Sequence, residues 1–514
     1  MQAMTDDTKR STWSLELSSE AETQALARFV ANMLAADDLV TLSGDLGSGK
    51  TAFARALIRC LTKDPGLEVP SPTFTLMQLY QTQTFPIVHA DLYRLRGPDD
   101  LAELGWDEAA EGALVMVEWA DRAGDELPQN RLDVALQMNF PRGEEARHVL
   151  ITGMGAFAAR LDRAKALHAL LEASGWAQAE RSFMLGDAST RAYERLRKPD
   201  GERAILMISP PRPDGPPIRF GKPYSAIARL AENVTPFVAL ANALRAQQLS
   251  APEIFASDIQ AGLAILEDLG SEGFVDENGP IAERYAEAVA VLASLHARRL
   301  PETLLVGDSA TYSVPPYDME ALTIEVELLL EWYLPAYARN SVASGAQAQF
   351  TTIWRKLFED CLRTPSTWTL RDYHSPNLIW LPQRTGLRRV GIIDFQDCVL
   401  GNPAYDLASL LQDARVTVGD ELELRLLSHY ARKRREADAD FNMAAFARDY
   451  ALLGAQRATK ILGIFARLDK RDGKPQYLAH LPRVEAYLSK DLAHPALAEI
   501  RAWYAEHLPA LAPS

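Results

Sequence analysis

Across the first third of the chain, apolar residues gather in short runs separated by polar and turn-forming stretches. The run "DLVTLSG" (Asp38–Gly44) ends in glycine. Phe53, Ala54, Leu57 and Leu61 then share one face of a helix predicted from about Lys50 to Leu61. Further strand-like runs are "FPIVHA" (Phe85–Ala90), "ALVMVEW" (Ala113–Trp119), "RLDVALQM" (Arg131–Met138) and "RHVLIT" (Arg147–Thr152). Strands alternating with helical segments predict an α/β unit with a mainly parallel sheet. "FAARLDRAKALHALLEASGW" (Phe157–Trp176) has helical spacing and bridges to a different pattern. That pattern is strand–turn–strand (Ser182–Ser209), the Pro-rich "PPRPDGPPIRFGKP" (Pro210–Pro223), and mostly helical sequence thereafter. The organisation expected is an α/β domain at 1–155, a helical linker at 156–180, and an α+β domain at 181–514. The last is divided into a strand-bearing part to about 268 and a helical part from 269.

A length of 514 residues agrees with more than one core. No apolar run approaches the ~18–20 residues that cross a bilayer. The first twenty residues lack the apolar segment of a signal peptide, so a cytoplasmic protein without membrane contact is expected. Cys60, Cys361 and Cys398 stand far apart, in no metal or redox spacing. The charge is uneven. Residues 1–155 carry 13 Lys+Arg against 24 Asp+Glu, a balance of −11, and the remainder 41 against 45, a balance of −4. So acidic a first domain is a poor surface for nucleic acid, and any RNA role is expected to run through protein partners.

"GDLGSGKT" fits the phosphate-binding pattern G-x-x-x-x-G-K-[ST], directly after a strand and opening a helix. Gly44, Gly47, Ser48 and Gly49 let backbone N–H groups turn towards phosphates; Lys50 would reach the β/γ-phosphates of ATP, and Thr51 would hold Mg²⁺. Such a site also needs a carboxylate near the metal and a group that orients water. Asp91 and Glu118 each follow a strand, at the edge of the sheet where the loop lies. With "SPTFTLMQLY" (Ser71–Tyr80), "HADLYRL" (His89–Leu95), "ELGWDE" (Glu103–Glu108) and "VEWADR" (Val117–Arg122) in this order, the first 155 residues resemble the TsaE family of small P-loop ATPases. The resemblance implies ATP turnover in the service of tRNA threonylcarbamoyladenosine synthesis, with a threonylcarbamoyl transferase (TsaD-like) and its companion subunit (TsaB-like) as partners and tRNA met only indirectly. It also implies a γ-phosphate switch at Thr73, a Mg²⁺ or water ligand at Asp91, and active-site roles for Glu118 and Trp119.

A second ATP device lies far downstream. In "LRDYHSPN", Asp372 and Asn377 have the D-x-x-x-x-N spacing of a kinase catalytic loop, base and metal ligand respectively. The strand "VGIIDFQD" (Val390–Asp397) then delivers Asp394, a second metal ligand. A small strand-bearing lobe before a helical lobe is the plan of a bilobal kinase. "DYHSPN", "IIDFQD", "LASLHA" (Leu292–Ala297) and "LAILEDLG" (Leu263–Gly270) resemble the aminoglycoside phosphotransferase and choline kinase superfamily. "GDASTRAYERL" (Gly186–Leu196) narrows this to the branch similar to AmgK, whose members phosphorylate the anomeric hydroxyl of N-acetylmuramate and N-acetylglucosamine. The resemblance implies nucleotide contacts at the hinge residues Glu267 and Leu269, and a loop-holding role for His374. Two positions depart from the superfamily: Leu370 stands where His is common, and Met207 where a small-lobe lysine grips ATP. Arg191, Arg195 or Lys222 are the alternatives for that grip. A near-balanced second domain argues against cationic aminoglycoside substrates, and the missing lysine leaves a catalytically dead scaffold as a further alternative.

Overall fold

A computed structural model describes residues 9–95, 106–184, 191–211, 215–307, 310–337 and 342–513. Contacts divide the chain into the units Met1–Ala177 and Gln178–Ser514. The "GDAST" stretch and the first half of "ELGWDE" (Glu103–Gly105) lie outside the described residues.

The first unit runs β1 (Arg10–Leu17), α1 (Glu20–Ala31), β2 (Leu39–Ser43), α2 (Lys50–Thr62), β3 (Met77–Gln81), β4 (Pro86–Asp91), α3 (Trp106–Ala110), β5 (Leu114–Glu118), β6 (Leu132–Met138), β7 (Arg147–Met154) and α4 (Ala156–Ala173). Its strands form one sheet in the order β1-β7-β6-β2-β5-β4-β3. Only the centre, β6-β2-β5-β4, is parallel; β3, β7 and β1 are added antiparallel, so the sheet is mixed where the pattern predicts a mainly parallel one. The reason is connection length. A parallel neighbour needs a crossover, whereas β3–β4 and β6–β7 are joined by short turns that permit only hairpins. In the first of these, Thr82 Oγ1 donates to the Phe85 carbonyl at 2.7 Å. The central strand β5 is buried throughout, which explains its unbroken apolar run.

Helix α4, expected between the two domains, packs into the first unit. Phe157 and Leu161 join the core formed by α1, α2 and the sheet. Ser11 Oγ donates to Asp162 Oδ1 at 2.5 Å, and Arg160 grips Asp38 at 2.6 Å.

The second unit opens with a fully antiparallel five-stranded sheet, β8 (Glu180–Met184), β9 (Ala192–Arg197), β10 (Arg203–Ile208), β11 (Ile254–Asp258) and β12 (Leu263–Glu267), in the order β11-β12-β10-β9-β8. Between β10 and β11 lies the apolar helix α5 (Thr235–Ala246). The larger part is built on α6 (Ala282–His296), α7 (Met319–Leu328), α8 (Ser344–Cys361), α9 (Ala404–Leu411), α10 (Asp420–Ala437) and the long α11 (Met443–Lys470). Two small antiparallel pairs are set among them: β13 (Thr367–Thr369) with β16 (Val399–Gly401), and β14 (Leu378–Trp380) with β15 (Val390–Ile392). This nesting places the loop between β13 and β14 beside the loop between β15 and β16.

Because α4 completes the first core, a fragment ending at 177 should unfold at a clearly higher temperature than one ending at 155. Loss of Phe157 and Leu161 alone removes about 3–6 kcal/mol of apolar burial. Equal melting temperatures would show that α4 contributes nothing to that core.

Candidate active sites

In the first unit, β2 feeds the phosphate-binding loop into α2. Gly44 turns the chain at φ +133°, where a Cβ would lie 2.1 Å from the Leu136 carbonyl oxygen, so only glycine fits. Gly47 and Gly49 also hold positive φ, at 82° and 106°. Lys50 Nζ donates to the Gly44 and Asp45 carbonyls at 2.8 and 2.9 Å and lies 4.0 Å from the Trp119 ring centre. Burial pushes this ammonium down, against the pull of Glu118 and Asp91. Arg147 braces the loop by donating from Nε to the Ser48 carbonyl at 2.7 Å. Ser48 Oγ is buried and meets no hydrogen-bond partner among the described residues.

Asp91 and Glu118 end the neighbouring parallel strands β4 and β5 in direct register. The structure gives them different companions. Thr51 donates its hydroxyl to Glu118 at 2.9 Å, and His89 Nε2 meets the other Glu118 oxygen at 3.0 Å. Asp91 instead accepts from Ser71 and Thr73 hydroxyls at 2.8 and 2.7 Å, and from the Tyr93 N–H at 2.9 Å. Thr73 is thereby tied to a strand-end carboxylate. His89, Ser71 and Arg147 were not singled out by sequence, although the first two lie inside the quoted motifs.

In the second unit, Asp372 and Asn377 lie in the β13–β14 loop and Asp394 follows β15. Asn377 Nδ2 is 2.9 Å from the Asp372 carbonyl and 3.4 Å from Asp394 Oδ2. Asp394 also accepts from Gln396 at 2.8 Å and pairs with Arg191 at 3.2 Å, at positive φ (58°). Burial and the nearby Asp372 charge push the Asp394 carboxyl up. Burial acts likewise on Asp372, but the cations Lys460, Arg371 and Arg457 and the nearby His374 outweigh it and hold that carboxyl below its ordinary range. His374 lies in the loop and passes its carbonyl to the Asn377 N–H at 2.9 Å, while burial pushes its imidazole down.

The catalytic loop is hung on side chains from three helices. Asp406 of α9, fully buried, accepts from the Leu370 and Arg371 N–H groups at 2.8 and 2.9 Å. Arg371, at φ +65° and buried, pairs with Glu325 of α7. Glu325 is met in turn by Tyr317, by Gln456 at 2.9 Å and by Lys460 of α11 at 2.9 Å. Leu370 packs into the core, so the place where His is common is apolar here. The sequence signal for these supports is faint: Asp406, Glu325 and Lys460 are single charges inside otherwise apolar helical runs.

The Glu267 carboxylate turns to Arg384 and Arg245, and its backbone N–H donates to the Glu253 carbonyl at 2.8 Å; Leu269 is buried. Met207 is buried in the core at 1% exposure. Arg195 pairs with Asp268 at 3.3 Å, and Lys222 is exposed in a turn with Arg219. A cavity of about 680 Å³ lies behind the loop, lined by His296, Thr367 and Arg434, and includes none of Asp372, Asn377 and Asp394.

The geometry thus describes a P-loop nucleotide-binding unit and a bilobal phosphotransferase unit on one polypeptide. Residues 180–441 match the phosphotransferase enzyme family, and residues 17–148 match the threonylcarbamoyl adenosine biosynthesis protein TsaE. The chain is 42% identical over 361 residues to the N-acetylmuramate/N-acetylglucosamine kinase of Caulobacter vibrioides, covering 68% of this chain and 97% of that one. Its counterpart from Pseudomonas putida is 32% identical over 327 residues, 62% of this chain and 86% of that protein. The tRNA threonylcarbamoyladenosine biosynthesis protein TsaE of Rickettsia felis is 41% identical over 124 residues, 24% of this chain and 72% of that protein. The chain belongs to the phosphotransferase enzyme family through its second unit and to the TsaE family through its first. It is an enzyme that uses ATP. Among the described residues, no helix is long and apolar enough to cross a membrane.

Removing Glu325 would strand the buried cations Arg371 and Lys460. Glu325→Leu should therefore lower the stability of the second unit by about 3–5 kcal/mol in urea unfolding. A loss below ~1 kcal/mol would show that the cluster is dispensable.

Proposed function

We propose that this is a bifunctional enzyme, in which the first unit hydrolyses ATP to support formation of N6-threonylcarbamoyladenosine in tRNA. The second transfers the γ-phosphoryl group of ATP to the anomeric hydroxyl of N-acetylmuramate or N-acetylglucosamine in cell-wall recycling. The observation that carries the reading is that each unit builds its own carboxylate cluster beside a nucleotide-binding motif: Asp91 and Glu118 by the P-loop, Asp372 and Asp394 by the loop after β13.

In the first unit, Lys50 would exchange its two loop carbonyls for phosphate oxygens. The donor set fits Mg²⁺: the Thr51 hydroxyl is already directed at the buried Glu118, with Asp91 in register beside it. Thr73, bound to Asp91, would report whether a γ-phosphate is present, and Trp119 would cover the lysine. The strongly acidic balance of this part suits delivery to tRNA by a threonylcarbamoyl transferase and its companion subunit, with no direct grip on the nucleic acid.

In the second unit, Asp372 would orient the sugar hydroxyl and accept its proton as the oxygen attacks the γ-phosphorus. The bond to the β-phosphate bridging oxygen breaks, and ADP leaves. The cations Lys460, Arg371 and Arg457 around Asp372 favour its ionised form for that task. Asn377 and Asp394 would hold Mg²⁺, and the fit is supported by Asp394 already drawing a cation, Arg191, to itself. Bound there, the ion would neutralise charge on the phosphates. The backbone at Glu267 and Leu269 would meet the adenine.

Lys50→Ala should abolish ATP turnover by the first unit while sugar phosphorylation persists; loss of both in a folded protein would refute independent sites. Asp372→Asn should lower kcat for sugar phosphorylation at least ~100-fold with little change in melting temperature. A near-unaltered rate would remove Asp372 from catalysis. Phosphorus NMR of products from N-acetylmuramate, N-acetylglucosamine, glucose, choline and kanamycin decides the substrate. An anomeric phosphate on the N-acetyl sugars alone is expected, and a phosphorylated kanamycin or choline would overturn the sugar assignment.

A further inference from the structure

We propose that Arg191 is the phosphate-gripping cation of the kinase unit, standing in for the lysine that position 207 lacks; this rests on the kinase reading above. Kinases usually grip ATP with a small-lobe lysine paired to a glutamate on the neighbouring helix. Here both members are absent together. Met207 of β10 is buried in one core with Phe237, Val238, Leu240 and Leu244, all from α5. Helix α5 reads "TPFVALANALRA" and holds no acidic residue. A lysine at 207 would have no carboxylate on that helix to meet it, and a buried unpaired ammonium is costly. The apolar contact is a coherent replacement of the pair, and the grip must come from elsewhere.

The register of the sheet shows where. Met207 stands opposite Tyr193 on β9. Side chains alternate along a strand, so continuing β9 backwards by two residues puts Arg191 on the face that Met207 and Tyr193 share. From there its Nη1 reaches Asp394 Oδ1 at 3.2 Å, with the side chain only 11% exposed. A metal held at this aspartate would neutralise charge on the phosphates, so a group touching the carboxylate would lie within side-chain reach of phosphate oxygens. Competing cations are engaged or distant: Arg195 is held by Asp268, Arg384 by Glu267, and Lys222 is exposed in its turn. Among the described residues, Arg191 is the small-lobe cation that reaches Asp394. A planar guanidinium suits the task, because its several N–H donors can exchange present partners such as Asp394 and the Tyr193 hydroxyl for phosphate oxygens when a nucleotide binds.

A purely structural latch on Asp394 would show the same contact, so the test must depend on phosphates. Titration calorimetry compares adenosine with Mg²⁺-AMP-PNP on the full chain carrying Lys50→Ala, which silences the P-loop, with and without Arg191→Met or Arg191→Lys. Arg191→Met should weaken AMP-PNP roughly 30- to 100-fold while adenosine changes less than about twofold, and Arg191→Lys should recover part of the loss. In turnover, KM for ATP should rise while KM for the sugar stays within about twofold. Equal weakening of both ligands, or AMP-PNP binding unaffected by Arg191→Met, would overturn the proposal. The titration needs no sugar. If the unaltered chain makes no sugar phosphate, the substrate assignment falls, and the nucleotide result still decides Arg191.

Discussion

A carboxylate taken out of water must be met by donors or cations, and that requirement organises both halves of this molecule. In the first unit, Glu118 and Asp91 emerge side by side from the end of a parallel sheet. Thr51, His89, Ser71, Thr73 and a backbone N–H converge on them there. In the second, Asp406 and Glu325 are buried outright, and each uses its charge to fix the catalytic loop rather than to do chemistry. The buried acids divide by partner: Asp406 and Glu325 hold backbone and arginine, while Asp91 and Glu118 hold hydroxyls, a histidine and a backbone N–H.

The two sites differ in how they reach this end. The P-loop is local, since one contiguous stretch supplies the loop, its lysine and its hydroxyl, and the sheet adds two carboxylates in register. The kinase site is assembled from afar. Arg371 depends on Glu325, and Glu325 depends on Gln456 and Lys460, so a span of well over a hundred residues closes on one turn.

That contrast also explains what the sequence made legible. "GDLGSGKT" and "DYHSPN" could be read because their chemistry is written at fixed short spacing, and the strands carrying Glu118 and Asp394 because buried strands are continuous apolar runs. The direction of β3 and β7 was written only in their short connections to β4 and β6, which admit a hairpin and no crossover. Strand β1 shows its alternation in Trp13, Leu15 and Leu17, yet it lies at a sheet edge far in sequence from its partner β7, and no local signal marks it. Asp406, Glu325 and Lys460 look like stray charges in helices until the fold brings them to the loop. Met207 looked like a defect, and its environment, an apolar α5 opposite, turns it into one side of a consistent contact.

The long reach of the kinase loop has a consequence for how the protein is made. Synthesis runs from the N-terminus, and domains fold as units while the rest is still being added. The core of the ATPase is complete once Phe157 and Leu161 have emerged, when most of the kinase has yet to be translated. The loop that carries Asp372, by contrast, gains the last of its supports only when Lys460 is available to Glu325. A ribosome that has passed Asp406 but not Lys460 therefore presents a finished P-loop domain alongside a catalytic turn that still lacks part of its support.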